Sequence, residues 1–164
     1  MIEIVPATRL PALADARALI RAHITAASTA HHTEAIEEIL TALPAPYEPP
    51  GGGLWIARRN GATAGSIALR PLSPTIGEIK RMYVDPAHRE NGVARALVTH
   101  LIKEARARSY DTLRLGTLTT MRPAQSLYES VGFREIAPYR SVEFGDTMFY
   151  ELSLGTDRRP GMRP

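Results

Sequence analysis

The stretch from Met82 to Arg108, MYVDPAHRENGVARALVTHLIKEARAR, decides the fold of this chain. It reads as the end of a strand, a polar turn and then a long helix. The helix is indicated by apolar residues at i, i+4 and i+8 spacing, namely Val93, Ala94, Leu97, Val98, Leu101, Ile102 and Ala105. Basic residues such as Lys103 and Arg106 lie off this stripe, so the pattern predicts one buried side and one solvent-facing side.

The turn in front of this helix has features of a phosphate site. Its residues are Arg89, Glu90, Asn91, Gly92, Val93, Ala94 and Arg95. Small side chains let a ligand approach the backbone, and the first N–H groups of a helix, together with the helix dipole, favour an anion. We therefore predict that the turn holds the pyrophosphate of a coenzyme. The alternative is that Gly92 is an ordinary turn glycine before an ordinary helix.

Composition indicates one soluble globular domain. The chain has 164 residues, of which 44% are hydrophobic and 23% charged. It has no cysteine, which excludes disulfide scaffolds, thiolate zinc sites and cysteine nucleophiles. No apolar run approaches the length of a membrane span, and the first residues lack a secretory signal pattern. We therefore expect no membrane partner and a cytoplasmic location.

The basic isoelectric point does not indicate a nucleic-acid partner. Much of the formal net charge of +3 comes from Arg158, Arg159 and Arg163 near the end of the chain. The rest of the chain shows no basic face interleaved with aromatic residues. Residues 155–164 contain Gly and Pro without periodicity and are predicted to be a disordered tail. Residues 1–154 are predicted to form the single domain.

Hydrophobic periodicity predicts eleven elements. Strands are expected at residues 2–5, 54–59, 64–70, 75–84, 112–118, 133–136 and 147–152, and helices at 10–24, 33–43, 93–108 and from Pro123 to about Gly132. Asn60-Gly61 between two strand segments predicts a hairpin. The order β-αα-βββ-α-β-α-ββ indicates an α/β domain with a mixed central sheet of six or seven strands and helices on both faces.

A second segment, residues 124–133, reads AQSLYESVGF. Ala124, Leu127 and Val131 form an apolar stripe with Tyr128 beside it. This segment and the Arg-x-x-Gly-x-Ala turn resemble the two signature segments of the GNAT superfamily of N-acetyltransferases, in order and in separation. The resemblance covers residues 54–136 well and the N-terminal helices in outline.

The GNAT resemblance implies a binding mode for the coenzyme. The central strands ending at Val84 and spanning 112–118 would splay apart, and the pantetheine arm of acetyl-CoA would lie in the wedge. It would pair with the backbone near Met82, Tyr83 and Val84, while its pyrophosphate lies on residues 89–94. Splayed strands leave N–H and C=O groups that a ligand amide can satisfy.

The resemblance also implies roles in acetyl transfer. A primary amine is mostly protonated near pH 7 and has to lose a proton before it attacks the thioester. Glu78 is the candidate base, with an ordered water chain as the alternative, and Tyr128 is the acid that protonates the CoA thiolate. The N–H of Met82 or its neighbour is the oxyanion donor. The alternatives are that Tyr128 is a core aromatic residue and that Glu78 is a solvated glutamate at a strand edge, paired with Lys80 or Arg81.

Several positions depart from the family pattern. Gly116 stands where other GNAT branches carry the base, and Met121 where a coenzyme-contacting asparagine is usual. Glu90 and Asn91 stand where many relatives carry glycine and arginine. A carboxylate near a pyrophosphate is unfavourable unless it points away. Gly116 and Met121 leave open a degenerate domain that binds CoA without turnover.

The acceptor is open between a small-molecule amine, which we favour, and a protein lysine or N-terminus. In the family it is selected by the first two helices and the loop between the last strands, here residues 138–146. The carboxylates Glu34, Glu37, Glu38 and Glu48 would favour a cationic amine, whereas Arg70, Arg81 and Arg140 would bind a carboxylate. A homodimer is possible, since GNAT proteins often dimerise. No metal site is expected, because the adjacent His31 and His32 would point about 100° apart on a helix.

Overall fold

The computed structural model describes residues 1–27, 33–141 and 146–155. Predictions on His31, His32, the side chain of Glu34, residues 142–145 and the tail from 156 onward lie outside the described residues. The strands are β1 (Ile2–Pro6), β2 (Gly53–Arg59), β3 (Ala62–Pro71), β4 (Ile76–Val84), β5 (Thr112–Leu118), β6 (Arg134–Ile136) and β7 (Thr147–Ser153). The helices are α1 (Ala12–Ala27), α2 (Thr33–Ala42), α3 (Val93–Ala107) and α4 (Arg122–Ser130), with a 3-10 turn at Pro86–His88. The predicted order of strands and α-helices is confirmed.

The strands form a mixed seven-stranded sheet in the order β1-β2-β3-β4-β5-β7-β6. The pairs β1–β2, β2–β3, β5–β7 and β6–β7 are antiparallel. β4 and β5 are parallel, and their ladder joins Ile76–Glu78 to Thr112–Arg114, the first three residues of each strand. The α/β class and the mixed sheet predicted from the sequence are therefore confirmed.

The Asn-Gly hairpin forms as predicted. Asn60 has a φ of 52° and Gly61 a φ of 84°, and Arg59 pairs with Ala62 across the turn. Positive φ at both central residues is what a type I′ turn requires, and its twist matches that of the strands on either side. The turn sets the pairing of Arg58 and Arg59 with Thr63 and Ala62, and the register shifts beyond them, between Ala57 and Arg58.

The chain divides into two compact units. The first consists of Met1–Arg70 and Ile79–Leu101. Its core packs α1 and α2 against β2, with Ile20, Leu40, Leu54 and Ile56 almost fully buried. Arg17 on α1 donates through Nε to the Leu40 carbonyl at 3.2 Å and through Nη2 to the Leu43 carbonyl at 3.3 Å. These bonds satisfy carbonyls that the end of α2 leaves without helical partners.

The second unit consists of Pro71–Glu78 and Ile102–Pro164. Burial alternates along β5, so that Leu113, Leu115 and Thr117 are buried while Arg114 and Gly116 lie on the other face. Antiparallel pairing with β7 sets Arg114 opposite Glu151 and Gly116 opposite Phe149. This face of β5 and β7 carries most of the candidate chemistry of the second unit.

Candidate active site

The predicted phosphate turn of the first unit has a defined shape. Asp85 begins it, with Oδ1 accepting from the Ala87 N–H at 2.8 Å. The Asn91 side-chain amide donates to the Arg89 carbonyl at 2.8 Å. Glu90 and Gly92 have φ angles of 64° and 81°, and α3 starts immediately afterwards at Val93. Hydrogen bonds within the turn thus hold the backbone that leads into the first turn of α3.

Most side chains of this turn face outward. Arg89, Glu90, Asn91, Gly92 and Arg95 are exposed, Ala94 is half-buried, and Val93 is buried and anchors the helix. A Cβ atom added at Gly92 would meet no protein atom within 4 Å. The glycine is therefore required by its left-handed backbone, and the space beside it is open. Glu90 adopts a left-handed backbone without being glycine, which is a source of strain.

Backbone geometry changes near the end of β4. Arg81 has a φ of 56° inside the strand, so the alternation of side chains is interrupted between Glu78 and Met82. The prediction that Glu78, Lys80, Met82 and Val84 share one face by simple alternation does not allow for this. The Arg81 carbonyl accepts from Ser66 Oγ at 2.9 Å, and Arg81 Nε donates to the Tyr47 hydroxyl at 3.0 Å. These contacts hold the unusual conformation, as expected where strain persists.

Tyr83 turns its side chain into the first unit. Its ring stacks on the imidazole of His23 from α1, with centroids 5.3 Å apart, and the Arg89 guanidinium lies 5.8 Å from its centroid. Arg89 Nε also donates to the Val84 carbonyl at 3.1 Å. Gly65 on β3 approaches so closely that an added Cβ would lie 2.8 Å from the Tyr83 carbonyl oxygen. The backbone of residues 82–84 is thus firmly positioned from several sides.

His23 is kept neutral at physiological pH. Burial, followed by the charges of Arg81 and Lys80, lowers the pKa of His23 from 6.5 to about 4. Its Nδ1 is buried and has no hydrogen-bond partner within the part of the chain that the structure describes. A protonated ring would leave a buried charge beside two cations, so the neutral form is favoured.

Tyr128 lies in the core of the second unit. Its side chain is 4% exposed and contacts Phe133 edge-on at 5.5 Å between centroids. Burial raises the pKa of Tyr128 well above the ordinary value, so the phenol keeps its proton. One turn earlier, Gln125 Nε2 donates to the carbonyls of Leu118 and Thr119 at 2.9 and 3.0 Å, which fixes α4 to the end of β5. The phenol is thus protonated and buried, as the alternative of a core aromatic residue also predicts.

Glu78 is buried and ion-paired. Its side chain is 0% exposed, and Oε2 accepts from the Tyr139 hydroxyl at 2.6 Å and from Arg140 Nε at 3.1 Å. A solvated glutamate at a strand edge is therefore not what the structure contains. Arg140 supplies the positive charge that a carboxylate in this environment needs.

Arg140 and Tyr139 complete a cluster on the face of β5 and β7. A Cβ added at Gly116 would lie 2.8 Å from Arg140 Nη2, so the glycine leaves room for the guanidinium. Burial and the hydrogen bond that Tyr139 donates to Glu78 raise the pKa of Tyr139 above its ordinary value. Burial is the largest single influence on Arg140 and lowers its pKa, but the hydrogen bond to Glu78, the charge of Glu78 and the neighbouring Tyr139 together raise it. Tyr139 was not predicted as a site residue, because it lies 61 residues from Glu78 in an irregular segment.

Three charged candidates for acceptor binding have structural partners. Glu37 on α2 pairs with Arg21 on α1, both at the surface. Arg81 donates a hydrogen bond to Tyr47, and Arg140 pairs with Glu78.

Met121 lies at the N-cap of α4 and makes no capping bond through its side chain. Within the described ranges, no group of three His, Cys, Asp or Glu side chains could hold a metal ion.

Comparison with known proteins connects these features to a family. A sequence model described as the acetyltransferase (GNAT) family matches residues 17–133. The chain is 39% identical over 94 residues to the uncharacterised N-acetyltransferase YsnE of Bacillus subtilis, a match covering 56% of this chain and 61% of that protein. It is 30% identical over 113 residues to the N-acetylaspartate synthetase of Rattus norvegicus, covering 64% of this chain and 38% of the synthetase. The chain thus spans less than two thirds of each of these relatives.

A solved structure shows the same fold. The Salmonella typhimurium protein yncA, determined with its cofactor acetyl-CoA, superposes with a TM-score of 0.73 at 25% identity, covering 97% of both chains. Separately, none of the helices in the described residues is long and apolar enough to cross a membrane.

Proposed function

The chain belongs to the GNAT acetyltransferase family, and we propose that it transfers the acetyl group of acetyl-CoA to the primary amine of a small molecule. The observation that carries the proposal is the family match across residues 17–133, which includes both the turn before α3 and Tyr128. The likeness to a structure that contains acetyl-CoA supports the choice of cosubstrate.

The proposed coenzyme contacts lie on the first unit. Residues 89–95 would receive the pyrophosphate, since the turn is exposed and leads into the start of α3. The backbone groups of Met82, Tyr83 and Val84 would pair with the pantetheine amides. Support comes from the inward position of the Tyr83 ring and from the bond between Arg89 and the Val84 carbonyl, which order this backbone.

The proposed chemistry is direct attack on the thioester. The ammonium of the acceptor loses a proton toward Glu78, and the free amine attacks the acetyl carbonyl. The N–H of Met82 would stabilise the oxyanion of the tetrahedral intermediate. Attack leaves a second proton on the nitrogen of the intermediate. Collapse breaks the C–S bond, and Tyr128 protonates the thiolate that leaves. The nitrogen then releases its second proton to solvent to give the neutral amide, and Tyr128 regains a proton from solvent. Tyr128 keeps its proton at neutral pH, as this role requires, while burial raises its pKa and so makes it a weaker acid than an exposed tyrosine.

A small amine is preferred as acceptor over a protein. The name of the rat relative specifies a small acetylated amino acid, which supports a small acceptor for this chain too. A free amine on a protein chain would use the same chemistry, so the choice has to be made by assay.

The test is release of free thiol from acetyl-CoA in the presence of a panel of amines. The panel should contain amino acids, polyamines, amino sugars and a lysine peptide, with acetyl-CoA alone as the blank. We expect turnover with at least one small amine and little with the peptide. Efficient turnover with the peptide alone would overturn the small-molecule assignment. Tight binding of CoA without thiol release on any amine would instead indicate a binding module.

A further inference from the structure

We propose that the hydroxyl of Tyr139 passes the proton of the acceptor ammonium to Glu78. The proposal rests on the proposed acetyl transfer and adds to it a residue that takes part in proton movement. The candidate base Glu78 is fully buried, with an exposed fraction of 0%, so a substrate cannot contact it directly. A carboxylate without accessible surface needs an intermediary to exchange a proton with a substrate.

Tyr139 is placed to be that intermediary. Its hydroxyl donates to Glu78 Oε2 at 2.6 Å, a short distance typical of a hydrogen bond to a carboxylate. The Tyr139 side chain is half-buried, so it has both a buried contact and accessible surface. Arg140, the other donor to this oxygen, is a guanidinium with donors only and cannot accept a proton. Of these two donors in the described part of the chain, only the tyrosine can both accept and donate a proton.

The transfer is balanced if both protons move in one step. A lone pair on the Tyr139 oxygen takes a proton from R–NH₃⁺, and the phenolic proton moves to Glu78 Oε2. The products are R–NH₂, a neutral tyrosine and a protonated Glu78, and the positive charge of the ammonium now resides on the Glu78–Arg140 pair. The proton returns along the same path and leaves to solvent after the amide product departs.

The surroundings hold the phenol in place without ionising it. Its ring contacts Phe149 of β7 edge-on at 5.0 Å, and the Arg114 and Arg140 guanidinium groups lie 5.4 and 5.8 Å from its centroid. Arg114 on β5 is paired with Glu151 on β7 at 2.9 Å. Burial and Glu78 raise the pKa of Tyr139, so the group relays a proton while neutral.

The main test is Tyr139→Phe, which removes the hydroxyl and keeps the ring. We expect kcat/KM for the amine to fall about 10²-fold at pH 7, in the range for loss of a proton-transfer group. The loss should shrink as the pH approaches the pKa of the amine, because the substrate then arrives deprotonated. Affinity for acetyl-CoA should not change. Tyr110→Phe, which alters another buried tyrosine of the second unit, should leave the pH profile unchanged.

Glu78→Gln gives an independent check. It should show the same pH-dependent loss, and the double variant should be no slower than either single variant, because both act in one step. If Tyr139→Phe keeps the pH profile of the unmodified enzyme and only KM changes, the relay is wrong and the tyrosine is structural. Multiplicative effects in the double variant would have the same meaning.

A measurement on the unmodified enzyme avoids any folding defect of the variants. Two protons moving together give a curved dependence of kcat/KM on the deuterium fraction of the solvent, and a linear dependence would overturn the relay. These outcomes are separate from failure of the proposed function, which would appear as no thiol release with any amine.

Discussion

The imidazole of His23 lies parallel to the phenol ring of Tyr83, with centroids 5.3 Å apart and planes inclined by 15°. His23 belongs to α1, and Tyr83 is the middle residue of the backbone segment that we propose pairs with the coenzyme. The stack therefore connects the first helix to this segment within one compact unit. The imidazole is neutral in this stack, and its protonation at low pH would place a charge in a buried position. The connection therefore depends on pH.

The first prediction concerns acid stability. Between pH 6.5 and 4 the unfolded chain takes up a proton on His23 while the folded chain does not, because its pKa is lowered to about 4. The free energy of unfolding should therefore fall with decreasing pH, by at most roughly 3 kcal/mol from this residue. His23→Phe keeps the stack and removes the titration. Urea denaturation at several pH values measures the free energy of unfolding as a function of pH. This free energy should change less steeply with pH in the variant, and an equal pH dependence would contradict the prediction.

The second prediction concerns the proposed acid. Tyr128→Phe retains the ring contacts with Phe133, so the protein should stay folded and bind acetyl-CoA as before. Loss of the phenolic proton should lower kcat by about 10²-fold. Thiol release at saturating substrates measures the effect, and calorimetry with CoA is the control. A rate equal to that of the unmodified enzyme would show that another group protonates the thiolate.

The third prediction concerns Glu90, whose φ of 64° is left-handed. Glu90→Gly should raise the free energy of unfolding by about 1 kcal/mol, because glycine adopts this backbone without steric cost. Glu90→Ala is the matched control, since it removes the charge but keeps the Cβ atom. We expect the gain with glycine only. Since Glu90 is exposed, calorimetry should give affinities for acetyl-CoA in both variants that are similar to that of the unmodified protein. A marked gain in affinity in both variants would show that the carboxylate repels the pyrophosphate.

The fourth prediction concerns Gly116. An added Cβ would lie 2.8 Å from Arg140 Nη2, the end of a flexible side chain that can move. Gly116→Ala should therefore displace the guanidinium and lower stability by only about 1–2 kcal/mol. Activity on the amine should fall while acetyl-CoA binding is retained. Unaltered kinetics would show that the position of Arg140 does not matter to the reaction.

The fifth prediction concerns Gly65, where the obstacle is backbone. An added Cβ would lie 2.8 Å from the Tyr83 carbonyl and 3.1 Å from Leu97 Cδ1. Because a strand in the sheet cannot shift easily, Gly65→Ala should cost more than Gly116→Ala, about 2–3 kcal/mol. Thermal denaturation of the two variants side by side decides the order. A smaller loss at Gly65 would mean that β3 and β4 are more deformable than this packing indicates.

Local signals in the sequence were sufficient for the elements. The apolar stripe from Val93 to Ala105 predicted α3, and Asn60-Gly61 predicted a turn whose φ angles are both positive. Such features depend on neighbouring residues only, so periodicity and turn chemistry reveal them. The end of α4 is similar, since Gly132 follows it with a φ of 108° as a C-terminal glycine should.

Long-range features were not accessible from the sequence. Glu78 and its donors Tyr139 and Arg140 are 61 and 62 residues apart, and no periodic pattern connects them. The left-handed backbone of Arg81 was also missed, because arginine carries no sign of it; the conformation is held by Ser66 and Tyr47 from elsewhere in the chain. Gly116 was interpreted as a missing base, whereas it accommodates a guanidinium from a distant segment.

The pairing of Glu78 with Arg140 limits how this protein could be redesigned. In a chimaera, a different segment from a relative at residues 138–141 would leave the buried carboxylate of Glu78 without Arg140 as its counter-ion. The free energy of unfolding would then fall by several kcal/mol. Exchange of substrate preference between relatives through this segment would then require a compensating change in β4. Residues 78 and 140 should accordingly be kept or exchanged together when variants are combined or libraries are built.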